Sequence, residues 1–288
     1  KRFKELFRAP IEKHGDSERL AQLRARGTPF MLRRTKREVA TELPDKVESI
    51  AGVTLEGKQA DLYETIRLTT EKAVRDALAD KGLAQSQIQI LDALLKLRQV
   101  CCDPRLVPLA SAQKIQQSAK LDLLMELLPE MLAEGRKVLL FSQFTSMLEL
   151  IEEALKARDL PWVKLTGQSR NRDAIIDRFT SGEVPLFLIS LKAGGVGLNL
   201  PQADTVIHYD PWWNPAVENQ ATDRAHRLGQ DKPVFVYKLI VGGSIEEKIL
   251  ALQERKAELA AGILSEDRGV DLKFGSDDLA ALFEPLPG

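Results

Sequence analysis

The sequence predicts an α/β fold in which a parallel sheet has helices on both faces, together with a helical protrusion. Three observations support this. Short apolar strands alternate with amphipathic helices through the second half of the chain, whereas residues 55–102 show helical periodicity alone. Hydrophobic residues make up 44% of the 288, enough for an ordered core. Alternation of strand and helix is typical of parallel sheets, because each crossover helix returns the chain to the same edge.

Five segments have the length and apolar content of buried strands: 137–141, 162–165, 186–189, 205–209 and 234–240. After the first of them, apolar residues recur at helical spacing, at Phe144, Leu148, Ile151 and Leu155. Asn214 followed by Pro215 predicts the start of another helix, since asparagine caps helices and proline suits their first turn. Loops at the carboxyl ends of such strands are where parallel sheets bind ligands.

The first half of the chain differs from the second. From residue 55 to 102, apolar residues such as Ile90, Leu94 and Leu97 follow helical spacing. We therefore divide the chain into a linker and entry segment (1–54), the helical protrusion (55–117), the α/β lobe (118–244), and a brace helix with a flexible tail (245–288). The chain opens at Lys1 rather than at Met, and we interpret it as a piece of a longer polypeptide.

Charge and composition exclude several classes of protein. The 41 Lys and Arg against 42 Asp and Glu give a net charge of -1, which excludes nucleic-acid binding by bulk positive charge but leaves local patches open. No apolar run approaches the ~20 residues that cross a bilayer. The two cysteines are adjacent and the three histidines scattered, which excludes a disulfide framework or Cys-rich zinc site and favours a reducing compartment.

The segment 220–230 contains the sharpest functional signal. Gln220, Arg224 and Arg227 recur at helical spacing, so we expect them on one face of a helix. Two arginines on one short face repel each other unless a polyanion or a carboxylate lies between them. Spacing alone leaves open a solvated helix with Asp223 and Glu218 as partners. The opposite stripe is apolar and is expected to be buried, namely Val217, Ala221, Ala225 and Leu228.

A glycine-rich turn, 190–201, follows the strand 186–189. Its glycines allow close approach of a ligand and present bare N–H groups to phosphate oxygens, although a tight strand-to-helix turn would also explain them. A dinucleotide fingerprint does not fit, because Leu200 stands where its third glycine belongs. The segment 52–59 has the spacing of a phosphate loop, but Gln59 replaces the Ser or Thr that binds Mg²⁺. The chain therefore has poised arginines without a phosphate loop.

Two further loops follow predicted strands. The segment 210–215 contains Trp212 and Trp213, which either cover a core or offer a wedge or stacking surface to nucleic acid. The segment 165–172 offers hydroxyl, amide and arginine donors that suit a phosphate backbone.

In their order along the chain, these segments resemble the carboxyl-terminal RecA-like lobe of the SWI/SNF-related ATPases, the double-stranded DNA translocases among the superfamily-two helicases. The run Arg-Ala-His-Arg-Leu-Gly-Gln at 224–230 is the most specific match. The other matching segments are 29–36, 42–46, 97–106, 138–144, 165–179 and 190–201. The wording of 210–214 resembles the bacterial or archaeal branches.

The resemblance implies that a first lobe, outside this chain, holds ATP and Mg²⁺, while this chain supplies catalytic arginine fingers. Arg224 and Arg227 would be the fingers, with Gln220 ordering the same face. The nucleotide-binding residues would be Gly195, Gly197 and Asn199. No metal ligand is expected in this chain, and without the first lobe it would be inactive as an ATPase.

The resemblance also implies a set of DNA-binding residues, namely Ser142, Gln143, Gly167, Ser190, Lys192, Gly194 and Trp213. The implied partners are double-stranded DNA, the first lobe of the same polypeptide and a DNA-bound protein such as a polymerase, but no membrane. The location would be the cytoplasm, at the nucleoid, in a bacterium or archaeon, and the nucleus in a eukaryote. The alternatives are a non-catalytic DNA- or partner-binding module with a motor-like fold, and a strand-separating or RNA-directed member of the same superfamily.

Overall fold

Six parallel strands form the central sheet of the computed structural model, which describes residues 43–193, 198–212, 214–264 and 280–287. Among these, side chains are described except at 83, 84, 87 and 255–264. Leu43–Gln253 and Ser276–Gly288 form one compact unit, to which the following description refers. A second unit comprises Lys1–Glu42 and Glu254–Gly275. The matching segment 29–36 lies outside the described residues.

The sheet confirms the predicted fold class. Its strands are β1 (Lys46–Val53), β2 (Val138–Ser142), β3 (Val163–Leu165), β4 (Leu186–Ser190), β5 (Thr205–His208) and β6 (Val234–Val241). Their spatial order is β1-β6-β5-β2-β4-β3, and every neighbouring pair is parallel. Strands β2 to β6 correspond to the five predicted strands.

Strand β1 is an addition to the prediction. It pairs with β6 from Lys46 opposite Val234 to Val53 opposite Val241. As an edge strand it leaves most of its residues exposed, including Ile50 at 63%, so its sequence lacks the continuous apolar run of a buried strand. Sequence patterning therefore placed it in the entry segment.

Seven α-helices of eight residues or more accompany the sheet in the described part of the chain, together with two short 3-10 helices, Pro104–Leu106 and Ala112–Lys114. The α-helices are α1 (Gly57–Gln85), α2 (Gln87–Cys102), α3 (Ala119–Ala133), α4 (Thr145–Lys156), α5 (Arg172–Thr180), α6 (Pro215–Thr222) and α7 (Ile245–Leu264). Helix α1 is kinked at Gly82, whose φ of 74° lies in the left-handed region that glycine tolerates. The cap of α6 is the predicted one, because Asn214 Oδ1 accepts from Ala216 N at 3.0 Å and Pro215 begins the helix.

Helices cover both faces of the sheet because the side chains of its buried strands alternate. Val138 and Leu140 of β2 pack with the apolar stripes of α3 and α4. Leu139 and Phe141 point to the other face, where they pack with residues of α5 and α6 such as Phe179. The loops that follow the strands are thereby fixed at one edge.

The helical segment has its own core. Helices α1 and α2 pack around residues that include Tyr63 and Leu97, joined by Ile245 and Ile249 of α7 and by Phe283 near the carboxyl terminus. The helices agree with the helical periodicity of residues 55–102, whereas the division of the chain into domains stays a prediction.

A buried ion pair links α3 to the start of α7. Lys120 Nζ lies 2.6 Å from Glu246 Oε2, and both side chains are within the core. The same ammonium group donates to Tyr209 O at 2.7 Å, and Glu246 Oε1 accepts from Val241 N at 2.9 Å. Each charge is therefore hydrogen-bonded as well as paired, which is what makes a buried pair tolerable.

A second buried polar contact links β5 to α6. His208 Nε2 lies 2.9 Å from Thr222 Oγ1, and its ring stacks on Phe141 with 5.7 Å between centroids. Burial lowers the pKa of His208 from 6.5 to about 4. The imidazole is therefore neutral at pH 7.

Of the helices described, none combines the length and the apolar character that crossing a bilayer requires.

Replacing Lys120 with Met should leave the Glu246 carboxylate buried without its counter-ion. We expect the free energy of unfolding to fall by about 3–5 kcal/mol in urea titrations. Adding Glu246→Gln should recover part of the loss, because no charge remains and the amide still accepts from Val241. Lys96→Met, which breaks an exposed pair with Asp92, should cost at most about 1 kcal/mol. A Lys120→Met loss no larger than that of Lys96→Met would contradict this account.

His208 should make stability depend on pH. Because its folded pKa lies below the value of a free imidazole, the unfolded chain takes up a proton first as the pH falls. Stability from this group is complete above about pH 6.5 and is lost progressively towards pH 4, by about 3 kcal/mol in total. Urea titrations at several pH values across this range should show that the free energy of unfolding depends less steeply on pH in His208→Gln than in the wild type. Thr222→Val should lower the free energy of unfolding at every pH and leave its pH dependence unchanged. An equal pH dependence in the wild type and in His208→Gln would contradict the role given to His208.

Candidate functional site

The loops that follow β2, β3, β4 and β5 lie at one edge of the sheet, because the four strands are parallel neighbours. Most of the residues singled out by the sequence lie on these loops. The others lie on α6 and on the turn that follows it.

Three arginines form a cationic cluster beside this edge. Arg224 and Arg227 lie on the turn after α6, and Arg172 is the first residue of α5. Burial and the nearby guanidinium groups of Arg227 and Arg172 lower the pKa of Arg224. Arg224 is therefore close enough to Arg227 and to Arg172 to be affected by the charge of each.

Backbone carbonyls orient two members of this cluster. Arg172 Nη2 donates to Ala193 O at 3.1 Å, and Arg227 Nη1 donates to Leu198 O at 3.4 Å. Ala193 and Leu198 flank the glycine loop 194–197 on either side. Arg172 is thus hydrogen-bonded to the residue before segment 194–197, and Arg227 to the residue after it.

The structure corrects the prediction that Gln220, Arg224 and Arg227 share one helical face. Helix α6 ends at Thr222, and the arginines follow on a turn. The backbone leaves the helix because it bonds elsewhere: Leu200 N donates to Arg224 O at 2.9 Å. Gln230 Nε2 donates to Ala225 O at 3.1 Å.

The predicted apolar stripe is also partly wrong. Ala221 and Ala225 are buried, but Val217 is half-buried and Leu228 is 70% exposed. Leu228 lies beyond the end of α6, so helical spacing no longer determines which way its side chain points.

The two predicted serine sites are buried. Ser142 Oγ donates to Asp210 Oδ1 at 2.5 Å, and Ser190 Oγ accepts from Ala193 N at 3.1 Å. Both hydroxyls therefore shape the loops that follow β2 and β4. Asp210 Oδ2 also accepts from Gln143 N at 3.2 Å, which fixes the backbone where β2 ends.

The loop that follows β5 is held by a buried carboxylate, Glu218 of α6. Glu218 Oε2 accepts from Trp212 N at 3.1 Å and from Gln253 Nε2 at 2.8 Å, while Glu218 Oε1 pairs with Lys238 Nζ at 2.8 Å. Gln253 also donates to Trp212 O. The sequence suggested Glu218 as an exposed partner of the arginines, whereas it is 2% exposed and stabilises this loop.

The remaining predicted residues are open to solvent or lie outside the described residues. Gln220, Gly167, Lys192 and Asn199 are exposed. A Cβ atom added at Gly167 would meet nothing within 4 Å, so open space lies beside that loop. Gly194, Gly195, Gly197 and Trp213 lie outside the described residues.

The near-match to a phosphate loop serves packing. Gln59 is buried in α1, where its Nε2 donates to Val100 O at 2.9 Å and its Oε1 accepts from Ala119 N at 3.0 Å. Its side chain therefore ties α1 to α2 and α3.

Sequence reasoning missed two residues of this edge as individuals. Arg172 was counted among donors for a phosphate backbone, whereas the structure places it with Arg224 and Arg227. Asp210 organises the end of β2, and the only signal for this was its position after a predicted strand.

The cluster suits an anion with several negative charges, because guanidinium groups bind phosphate oxygens in bidentate fashion. It does not suit a metal ion. Within the described residues, no group of three or more His, Cys, Asp or Glu side chains is arranged to hold one.

Comparisons with known proteins agree with this chemistry. Residues 119–229 match the family model of the helicase conserved C-terminal domain, and residues 1–106 match that of the SNF2-related domain. The chain is 39% identical over 288 residues to a putative ATP-dependent helicase/translocase of Bacillus subtilis, covering 98% of this chain and 31% of that protein. It is 37% identical over 284 residues to an uncharacterized ATP-dependent helicase of Mycoplasma genitalium, covering 98% and 27%. The chain thus spans about three tenths of the length of these relatives.

Two solved structures from Sulfolobus solfataricus are similar to the chain. The C-terminal domain of its SWI2/SNF2 ATPase is 32% identical with a TM-score of 0.61, covering 82% of this chain and 93% of that one. The ATPase core in complex with double-stranded DNA is 36% identical with a TM-score of 0.63, covering 89% and 54%.

Proposed function

Because the chain belongs to the SWI/SNF-related family of helicase-like ATPases and has its carboxyl-terminal RecA-like lobe, we propose that it is the second motor lobe of a double-stranded DNA translocase. The single observation that supports this most is the cationic cluster at the carboxyl edge of the sheet. The near relatives are named as ATP-dependent helicases, which accords with a role in ATP hydrolysis.

Arg224 and Arg227 act as arginine fingers in this proposal. Their guanidinium groups lie close together despite like charge, and Arg227 is oriented by the carbonyl of Leu198. A triphosphate held by a first lobe would bring negative charge to them. They would then stabilise the charge that develops on the transferred phosphoryl group, the main form of catalysis in such reactions.

The chain's other nucleotide contacts are proposed on the same edge. Asn199 is exposed beside the carboxyl end of the glycine loop, and Gly195 and Gly197 belong to that loop. Gln220, exposed on α6, would order the same side of the cleft. When bound, ATP supplies the phosphoryl group and the energy of its hydrolysis. Because no described acidic cluster fits a cation, we assign Mg²⁺ to the first lobe.

DNA would lie against the loops that follow β2, β3, β4 and β5. Gly167 and Lys192 offer an open backbone and a cation to phosphate oxygens. The proposal retains Gln143 through the position of its loop, because its amide nitrogen is buried and its Oε1 accepts from Arg98. The proposal retains Gly194 and Trp213 as contacts. It retains Ser142 and Ser190 through the loops that their buried hydroxyls shape.

The remaining parts of the proposal concern the whole protein. Its partners would be double-stranded DNA, as in the complex formed by the Sulfolobus relative, the first lobe of the same polypeptide, and a DNA-bound protein such as a polymerase. A DNA motor would act in the cytoplasm, at the nucleoid, in a bacterium or archaeon, or in the nucleus of a eukaryote. Without the first lobe, the chain would be inactive as an ATPase.

Arg227→Ala tests the finger assignment. In a polypeptide that joins this chain to the phosphate-loop lobe, we expect turnover of ATP with duplex DNA to fall about 10³-fold or more, because an arginine finger contributes that much to phosphoryl transfer. Duplex affinity, measured by fluorescence anisotropy, should change less than about twofold, since the proposal assigns Arg227 to the nucleotide and not to the DNA.

Arg178→Ala is the matched control, because Arg178 is an exposed arginine that pairs with Glu183 at 2.9 Å. It should leave both turnover and duplex affinity unchanged. Normal turnover in Arg227→Ala would remove the finger assignment. An absence of turnover in the wild type would instead favour a non-catalytic binding module with a motor-like fold.

A further inference from the structure

Arg98 of α2 reaches from the helical segment to the edge of the sheet. It is 7% exposed, and its Nη2 donates to Gln143 Oε1 on the loop that follows β2. Its guanidinium carbon lies 5.9 Å from the ring centroid of Phe144 and 5.7 Å from that of Trp212. One side chain thus contacts two different strand-end loops.

The positive charge of Arg98 lies near a carboxylate, that of Asp210, at the same edge of the sheet. Burial lowers the pKa of Arg98, and the nearby Asp210 carboxylate acts in the opposite direction. Asp210 in turn holds Ser142 Oγ and Gln143 N, as described above. The guanidinium therefore lies between two aromatic rings, an amide and a carboxylate that together connect the loops after β2 and β5.

The backbone that carries Arg98 is itself anchored. The last carbonyl of α2, Cys102 O, accepts from Tyr209 Oη at 2.9 Å and from Ser118 Oγ at 3.2 Å. Leu97, the neighbour of Arg98, is buried in the core of the helical segment. Movement of α2 would accordingly be transmitted to the guanidinium rather than absorbed by a loose chain.

We propose that Arg98 is a positioning residue through which the helical segment sets the geometry of the DNA-facing loops. The proposal rests on the function proposed above, because it assigns those loops to DNA. Arg98 does not touch the duplex. It holds Gln143 and Trp212 in place, so that binding of the phosphate backbone depends on where α2 lies.

The chemistry of the contact requires arginine in particular. A planar guanidinium can lie against two rings and donate in its own plane at the same time, whereas an ammonium group offers charge without that shape. Arg98→Lys keeps the charge near Asp210 but loses the planar fork. Arg98→Met keeps the length of the side chain and loses both.

The test uses the polypeptide that joins this chain to the phosphate-loop lobe, with ATP hydrolysis measured against the concentration of a blunt duplex. Arg98→Met should raise the duplex concentration for half-maximal stimulation about tenfold, while the rate at saturating duplex stays within about twofold. Arg98→Lys should give a shift of about threefold. If Arg98 had a purely structural role, its loss would lower the rate of hydrolysis at saturating duplex and would not selectively raise the duplex concentration for half-maximal stimulation.

Gln143→Leu shows whether Arg98 acts through the loop. If it does, the double variant Arg98→Met/Gln143→Leu should lose less duplex affinity than the sum of the two single losses, because both changes break the contact between Arg98 and Gln143. Additive shifts would overturn the proposal. Lys96→Met removes a positive charge from the exposed face of the same helix and should leave both parameters unchanged.

The outcomes separate this inference from the function on which it rests. A wild-type protein with no duplex-stimulated hydrolysis would overturn both. A stimulated wild type with an unshifted Arg98→Met would overturn the positioning role alone. Should Arg98→Met fail to fold, as judged by thermal unfolding, Arg98→Lys decides by its own shift of about threefold in the duplex concentration for half-maximal stimulation.

Discussion

Like charges brought together at the edge of a parallel sheet are the constraint around which this lobe is built. Arg172 comes from the start of α5, whereas Arg224 and Arg227 come from the turn that follows α6. The described hydrogen bonds of Arg172 and Arg227 go to backbone carbonyls, which orient a guanidinium without neutralising it. Repulsion among these arginines falls when an anion arrives, so the triphosphate that we propose as their ligand would draw this edge towards it.

The same edge connects the residues that we propose for nucleotide binding to the loops that we propose for DNA binding. Arg172 and Arg227 are bonded to the residues that flank the glycine loop after β4, while Asp210 and Glu218 fix the loops after β2 and β5. Polar side chains with buried partners can fix these loops because a closely packed interior allows a side chain only a few distinct positions. In the motor that we propose, such contacts would let binding of the nucleotide change the affinity for DNA.

The sequence predicts the architecture well because hydrophobic periodicity is a local property. Strands β2 to β6, the capped start of α6 and the two-sided cover of the sheet all follow from it. It misses β1, whose exposed edge lacks the apolar run. It also extends α6 through Arg227, although hydrogen bonds to distant residues such as Leu200 end the helix at Thr222. Arg98 and Arg172 acquire their neighbours from the tertiary fold, which spacing along the chain does not encode.

The pairing of β1 with β6 has a consequence for how the protein is made. Lys46 and Val234, which lie opposite each other, are 234 − 46 = 188 positions apart. At ribosomal speeds of ~5–20 residues per second, the first strand waits roughly 10–40 s for its partner to be translated. Until then β1 lacks its partner strand, and the sheet closes only when synthesis of this region is nearly complete.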